Sequence, residues 1–77
     1  MQSKANFQDM FLSAARRERM TVTLFLMNGF QMKGIIRAYD SFVVMVESEG
    51  RQQMIYKHAI STITPPKTLE LSEEDAT

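Results

Sequence analysis

Between Thr21 and Thr64 the chain is cut into short pieces by the turn signals Asn28-Gly29, Asp40-Ser41 and Glu49-Gly50 and by a polar interruption at Lys57-His58, with Pro65-Pro66 ending the series. Asn-Gly is the strongest short hairpin signal, because both residues tolerate the left-handed backbone that tight antiparallel turns require. The pieces between are rich in β-branched and aromatic residues and read as five strands, at 21–28, 30–39, 42–48, 51–56 and 59–64. In the second, Phe30, Met32, Ile36 and Ala38 alternate with Gln31, Lys33, Arg37 and Tyr39. Its internal Gly34 predicts a sharp bend or bulge, of the kind that turns a strand around a small barrel.

Ahead of the strands the period changes. Phe7, Met10, Phe11, Ala14 and Ala15 fall on one stripe of a helix predicted over 6–18. Asn6 is placed to cap it, and Asp9 to suit the positive end of its dipole. Arg16, Arg17 and Arg19 are expected in its last turn, where cations are favoured; a solvated helix end accounts for them equally well. One helix followed by a strongly bent five-stranded antiparallel sheet is an α+β fold, mainly β: a small open barrel with two free edges. Free edges invite pairing with another chain. If the fourth strand of one copy pairs with the fifth of the next, the contact is head-to-tail and can close into a ring.

A chain of 77 residues is one domain at most. Domains near this size bury only about 60% of their unfolded surface and are marginal without a staple. With no cysteine and a single histidine, neither a disulfide nor a thiolate or histidine-based metal site is available, so assembly is the expected staple, and no metal or cofactor is implied. The same inventory argues against an enzyme: there is no glycine-rich phosphate loop, and Asp9, Asp40 and Glu47 are scattered. Neither a signal peptide nor a membrane span is recognisable, so the cytoplasm is expected, with no membrane partner and no small-molecule substrate. The net charge of zero hides an asymmetry. Residues 1–66 carry eight Lys/Arg against five Asp/Glu, whereas 67–77 set Lys67 against Glu70, Glu73, Glu74 and Asp75. A mildly basic body with an acidic, disordered tail from 67 to 77 is expected.

The segments "QDMFL" (8–12), "NGF" with "KG" behind it (28–34), "YDSFVV" (39–44) and "YKHAIST" (56–62) follow one another in a specific order and spacing. Through them, from Phe7 to Pro65, the sequence resembles the Hfq family, bacterial Sm-like RNA chaperones. The "NGFQMKG" hairpin looks like the Firmicute members and "RRER" like the enterobacterial ones. The resemblance implies an Sm-like RNA-binding domain over 1–66. It further implies a homohexameric ring that binds single-stranded RNA on two opposite faces and a rim, pairing small regulatory RNAs with mRNAs.

On the helix-bearing face and pore, the resemblance assigns uridine-rich RNA to Gln8, Ser41, Phe42, Tyr56, Lys57 and His58. Lys57 offers charge and donors, His58 further donors, Phe42 a stacking surface, and Gln8 a contact to the uracil edge. Tyr56 helps to join neighbouring subunits, or is an ordinary strand aromatic. Ser41 departs from the family's longer side chain, which predicts weaker binding there. In a lone chain, Lys57 and His58 read rather as a solvated lysine and a satisfied surface histidine; it is the ring that favours the RNA-binding reading.

The opposite face is assigned purine-rich RNA through Phe25, Leu26, Asn28, Gly29, Phe30, Gln31, Met32 and Lys33, with Gln53 and Thr62 at the base edge. Phe25, Leu26 and Met32 are read as a purine sandwich; burial of Phe25, Leu26, Phe30 and Met32 in the core is the competing reading. Phe30 and Gln31 imply a two-nucleotide repeat, the enterobacterial type a three-nucleotide one. The rim is assigned to Arg16, Arg17 and Arg19, beside Ser13 and Tyr39. A rival from another class is an Sm-like or SH3-like interaction module without RNA chaperone activity.

Overall fold

The computed structural model describes residues 6–71; residues 1–5 and 72–77, with most of the expected acidic tail, lie outside the described residues. Asn6 caps the helix as expected. Its side-chain oxygen accepts a hydrogen bond from the Asp9 N–H at 3.2 Å, and its carbonyl accepts from the Met10 N–H at 2.9 Å. Helix α1 runs over Phe7–Arg17. It closes with the Arg19 N–H on the Arg16 carbonyl (3.1 Å) and the Met20 N–H on the Ala15 carbonyl (3.2 Å), the paired bonds of a Schellman motif. That motif needs one left-handed residue, and Arg19 supplies it with φ 54°. Arg19 therefore lies beyond the helix, not in its last turn as the spacing predicts.

The helix buries Met10, Leu12, Ala14 and Ala15, with Phe11 half-buried. Phe7, expected on the buried stripe, is 74% exposed, because nothing among the described residues covers the start of the helix. Leu12, absent from the expected stripe, is instead a core residue.

Five strands follow: β1 (Thr21–Leu26), β2 (Gln31–Tyr39), β3 (Val43–Ser48), β4 (Arg51–Tyr56) and β5 (Ile60–Thr64). They form one antiparallel sheet in the order β4-β3-β2-β1-β5. The β1–β2 turn uses Gly29 at φ 95°, and Asn28 Oδ1 accepts from the Phe30 N–H at 2.9 Å. The β3–β4 turn places Glu49 (φ 54°) and Gly50 (φ 79°) both in the left-handed region, as a two-residue hairpin demands.

Two expectations for β2 are corrected. The bulge lies at Arg37, between the pairs Ile36↔Val46 and Ala38↔Met45, rather than at Gly34. The extra residue reverses the alternation, so Ala38 is exposed and Tyr39 packs against the core. Gly34 is required for a different reason. A Cβ there would lie 2.6 Å from both the Glu47 carbonyl oxygen and Val46 Cγ1, so glycine permits the close approach of β3.

β4 and β5 are consecutive in sequence yet occupy opposite edges of the sheet. The link between them is a single 3-10 turn, η1 (Lys57–Ala59), which takes Ala59 out of the expected fifth strand. In a flat sheet, four strand spacings would separate those edges by roughly 19 Å. A 3-10 turn rising about 2 Å per residue reaches less than half of that over four steps. The sheet must curl until its edges approach, and this closure makes the barrel. Leu12, Ala15, Met20, Val22, Leu24, Ile36, Val44 and Val46 fill its interior. Leu69 packs against this core too, so the chain remains attached to the body beyond Pro66.

Candidate nucleic-acid interface

The turn η1 is pinned at both ends. The Lys57 N–H donates to the Phe42 carbonyl at 2.7 Å, and the Ala59 carbonyl accepts from the Met27 N–H at 2.8 Å. Lys57 does not extend freely from this turn. Its side chain is only 15% exposed, with Nζ 4.0 Å from Asp9 Oδ1 and 5.7 Å from the centre of the Tyr39 ring. His58 is exposed and stacks on Tyr56, ring centres 5.5 Å apart and planes 12° from parallel. Lys57 and His58 thus leave the same turn in different surroundings.

Asp40 shapes the neighbouring loop. Its Oδ1 accepts from the N–H groups of Phe42 (2.8 Å) and Val43 (2.9 Å), a side-chain-built turn that leaves the Phe42 ring 74% exposed. These two bonds, that of Phe42 first, hold the Asp40 carboxyl below its ordinary value of 3.8; the charge of Lys57 adds a smaller effect in the same direction. A cleft of about 390 Å³ opens between this loop and the start of α1, lined by Gln8, Asp9, Tyr39, Ser41 and Lys57 among others. A second, more apolar cleft of about 270 Å³ runs from Gln8 and Phe11 to Ile60–Ile63, and it shares Gln8 and Lys57 with the first. Gln8, Ser41 and Lys57 therefore meet at one opening, with Phe42 beside it.

On the opposite side, strand register sets the pattern. Phe25 pairs with Gln31 on β2 and with Thr62 on β5, so the three side chains stand in one row on one sheet face. Lys33, two residues along, shares that face. Phe30 is 70% exposed in the turn, which removes it from the core, and Phe25 is partly exposed. Leu26 is half-buried. Met32 pairs with Leu24 on the other face and packs against the core, so it cannot sandwich a base with Phe25 within one protomer. Gln53 is also separated from this row: it lies on β4, the far edge of the sheet, where it pairs with Val46 of β3. Asn28 and Gly29 form the exposed turn beside Phe30.

Arg16, Arg17 and Arg19 are all exposed. Arg17 Nε lies 3.5 Å from Glu18 Oε2, and the Arg16 guanidinium sits 5.6 Å from the centre of the Tyr39 ring. Ser13 is half-buried. The sequence places Asp40 in a turn and Asp9 at the helix start, but not as the groups that organise the site. An Asp two residues before an aromatic, at a turn, is the local signal for the Asp40 bond to the Phe42 N–H. The contact of Asp9 with Lys57 carries no such signal, since Lys57 lies across the fold.

The Hfq protein family model matches residues 7–70, nearly everything between the helix cap and Leu71. The chain belongs to the Hfq family. Among relatives, the "RNA-binding protein Hfq" of Shouchella clausii (strain KSM-K16) is 51% identical over 74 residues, 96% of either chain. That of Exiguobacterium sp. (strain ATCC BAA-1283 / AT1b) is 53% identical over 76 residues, covering 99% of this chain and 93% of its own. A 1.55 Å crystal structure of "the pleiotropic translational regulator, Hfq" superposes with a TM-score of 0.75 at 52% identity, covering 77% of this chain and 98% of that one. The helix and bent antiparallel sheet are accordingly the Sm fold of the Hfq family, a family of RNA-binding proteins. Among the described residues no helix is long and apolar enough to cross a membrane.

Proposed function

We propose that this chain is a cytoplasmic RNA chaperone that assembles into a homohexameric ring and pairs small regulatory RNAs with mRNAs. The observation that carries the reading is the relation of the two sheet edges to η1. Among the described residues the outer edges of β4 and β5 have no partner, and β4 exposes Met54 and Tyr56. Pairing β4 of one copy with β5 of the next satisfies both edges and repeats Lys57 and His58 around a central opening. Uridine-rich RNA binds there, with Gln8 and Lys57 at the base, Phe42 as the stacking surface and Tyr56 and His58 beside it. Ser41 lines the cleft but is short, which weakens this site.

Purine-rich RNA binds the other face along the row Phe25, Gln31 and Thr62, with Phe30, Lys33, Asn28 and Gly29 at its end. Gln53 reaches this row only from the adjacent copy, whose β4 lies beside β5 in the ring. Arg16, Arg17 and Arg19 form a basic belt that holds two RNAs against each other. Residues 1–66 carry these activities, and the acidic stretch 67–77 competes with RNA for the belt. Leu69 and Glu70 line a groove with Arg17, Glu18 and Met20, so that stretch starts close to the arginines.

The test combines sizing with titration. Light scattering at micromolar concentration should report six copies. Oligo-uridine and oligo-adenosine should both bind, more weakly as salt rises, because phosphate contacts release counterions. A monomer that ignores both homopolymers would leave an interaction module as the better description. A ring that ignores them would leave a structural assembly protein.

A further inference from the structure

Tyr39 is where the two cationic regions of the protomer meet. Arg16 lies 5.6 Å from the centre of its ring and Lys57 Nζ 5.7 Å. Both are inside the roughly 6 Å over which an aromatic face attracts a cation. The ring is itself fixed: its hydroxyl donates to the Asp9 carbonyl at 3.4 Å, and its body packs on the core. It reaches this position only because the bulge at Arg37 reverses the alternation of β2. Without the extra residue, Ala38 would face inward and Tyr39 would not stand between helix and turn.

Arg16 comes from the last turn of α1 and Lys57 from η1. Among the described residues Lys57 also faces the Asp9 carboxylate at 4.0 Å, a long contact for holding a side chain with four rotatable bonds, and its charge acts weakly on Asp40. A ring surface removes rotamer freedom that such a contact leaves. Two cations drawn to one ring also repel each other, and an RNA phosphate bound near either one relieves that repulsion.

We infer that Tyr39 is a positioning residue that joins pore and rim into one continuous track within each protomer, so that RNA engaging Lys57 favours engagement of Arg16, and the reverse. This rests on the reading that Lys57 and Arg16 touch RNA. The ring's part is to hold both cations in place, separately from any stacking on RNA.

The experiment measures hexauridine affinity and the annealing rate of two complementary RNAs on the full chain, with oligomeric state checked by light scattering. The variants are Tyr39→Leu, Tyr39→Phe, Lys57→Met, Arg16→Met and the double variants of Tyr39→Leu with each cation change. Tyr39→Leu should weaken hexauridine binding and slow annealing by about two- to five-fold each, the loss expected for a partly exposed cation–π contact. Tyr39→Phe should recover most of both. In the Lys57→Met background Tyr39→Leu should no longer change hexauridine affinity yet still slow annealing; in the Arg16→Met background the pattern should reverse. Equal losses in every background indicate a merely structural role and overturn the inference.

If Tyr39→Leu does not fold, the unmodified chain decides. By NMR, the side-chain methylene protons of Lys57 next to its ammonium should be shifted upfield by the ring relative to those of Lys33 and Lys67. Unshifted protons overturn the inference. An unmodified chain that ignores hexauridine, while showing the shift, overturns the proposed function and the coupling with it, and leaves only the Tyr39–Lys57 contact.

Discussion

Arg19 holds the left-handed position of the helix stop, with φ 54°. For an L-residue with a Cβ that conformation costs about 1–2 kcal/mol. Glycine removes this strain, but its greater freedom in the unfolded chain returns about 0.5–1 kcal/mol. Arg19→Gly should therefore stabilise the fold by up to about 1.5 kcal/mol, centred on about 0.7 kcal/mol, which at that centre is roughly 3–6 °C in Tm for a domain of this size. Arg19→Ala keeps a Cβ and hence the strain, so its stability should stay within about 0.5 kcal/mol of the parent. Both variants lose the same guanidinium from the proposed belt. Annealing should slow in both, and the plot of log affinity against log salt should flatten by about 0.7 for each phosphate contact given up. Urea unfolding at fixed protein concentration measures the first effect, and salt-dependent RNA titration the second. A glycine variant less stable than the alanine one would refute the strain argument. An unchanged salt slope in both would remove Arg19 from the RNA surface.

Gly34→Ala places a Cβ 2.6 Å from a backbone oxygen that cannot move without disturbing β3, so the fold should lose about 1–3 kcal/mol, visible as a lower urea midpoint; an unchanged midpoint would show that β3 can shift. Asp40 has a folded pKa below 3.8, so the stability it lends the Phe42 loop is present above the unfolded value and lost as pH falls through the lowered one. The Phe42 and Val43 amide resonances should accordingly titrate with a midpoint below 3.8, and a midpoint at or above it would contradict the hydrogen-bonded turn. Truncation after Leu71 removes Glu73, Glu74 and Asp75 while keeping Leu69 on the core. It should tighten non-specific RNA binding at low salt without lowering Tm, whereas equal affinities would exclude competition by these carboxylates.

The helix, the five strands and both tight turns were legible because they are written in local terms: a cap, an apolar stripe, and residues that tolerate positive φ. What escaped was set by contacts distant in sequence. The Arg37 bulge leaves no mark in the alternation, which by itself puts Ala38 inward and Tyr39 outward, the reverse of the structure. Gly34 signalled an irregularity, but its cause is the neighbouring strand at Glu47. Met32 could not be told from a surface residue until its pairing with Leu24 fixed its face. The candidate residues were legible by family likeness rather than by chemistry. Periodicity alone left Phe25 and Phe30 in the core, and nothing local joined Lys57 to Asp9 or Tyr39.

The brevity of η1 has a mechanical consequence. In the proposed ring, Tyr56 would belong to the seam with one neighbour and Ile60 to the seam with the other, and three residues stand between them. Any guest that immobilises Lys57 and His58 stiffens both joints of that subunit at once, and a guest spanning several subunits clamps the circle as a whole. Resistance of the assembly to falling apart on dilution should therefore rise with the length of uridine tract bound, up to the circumference.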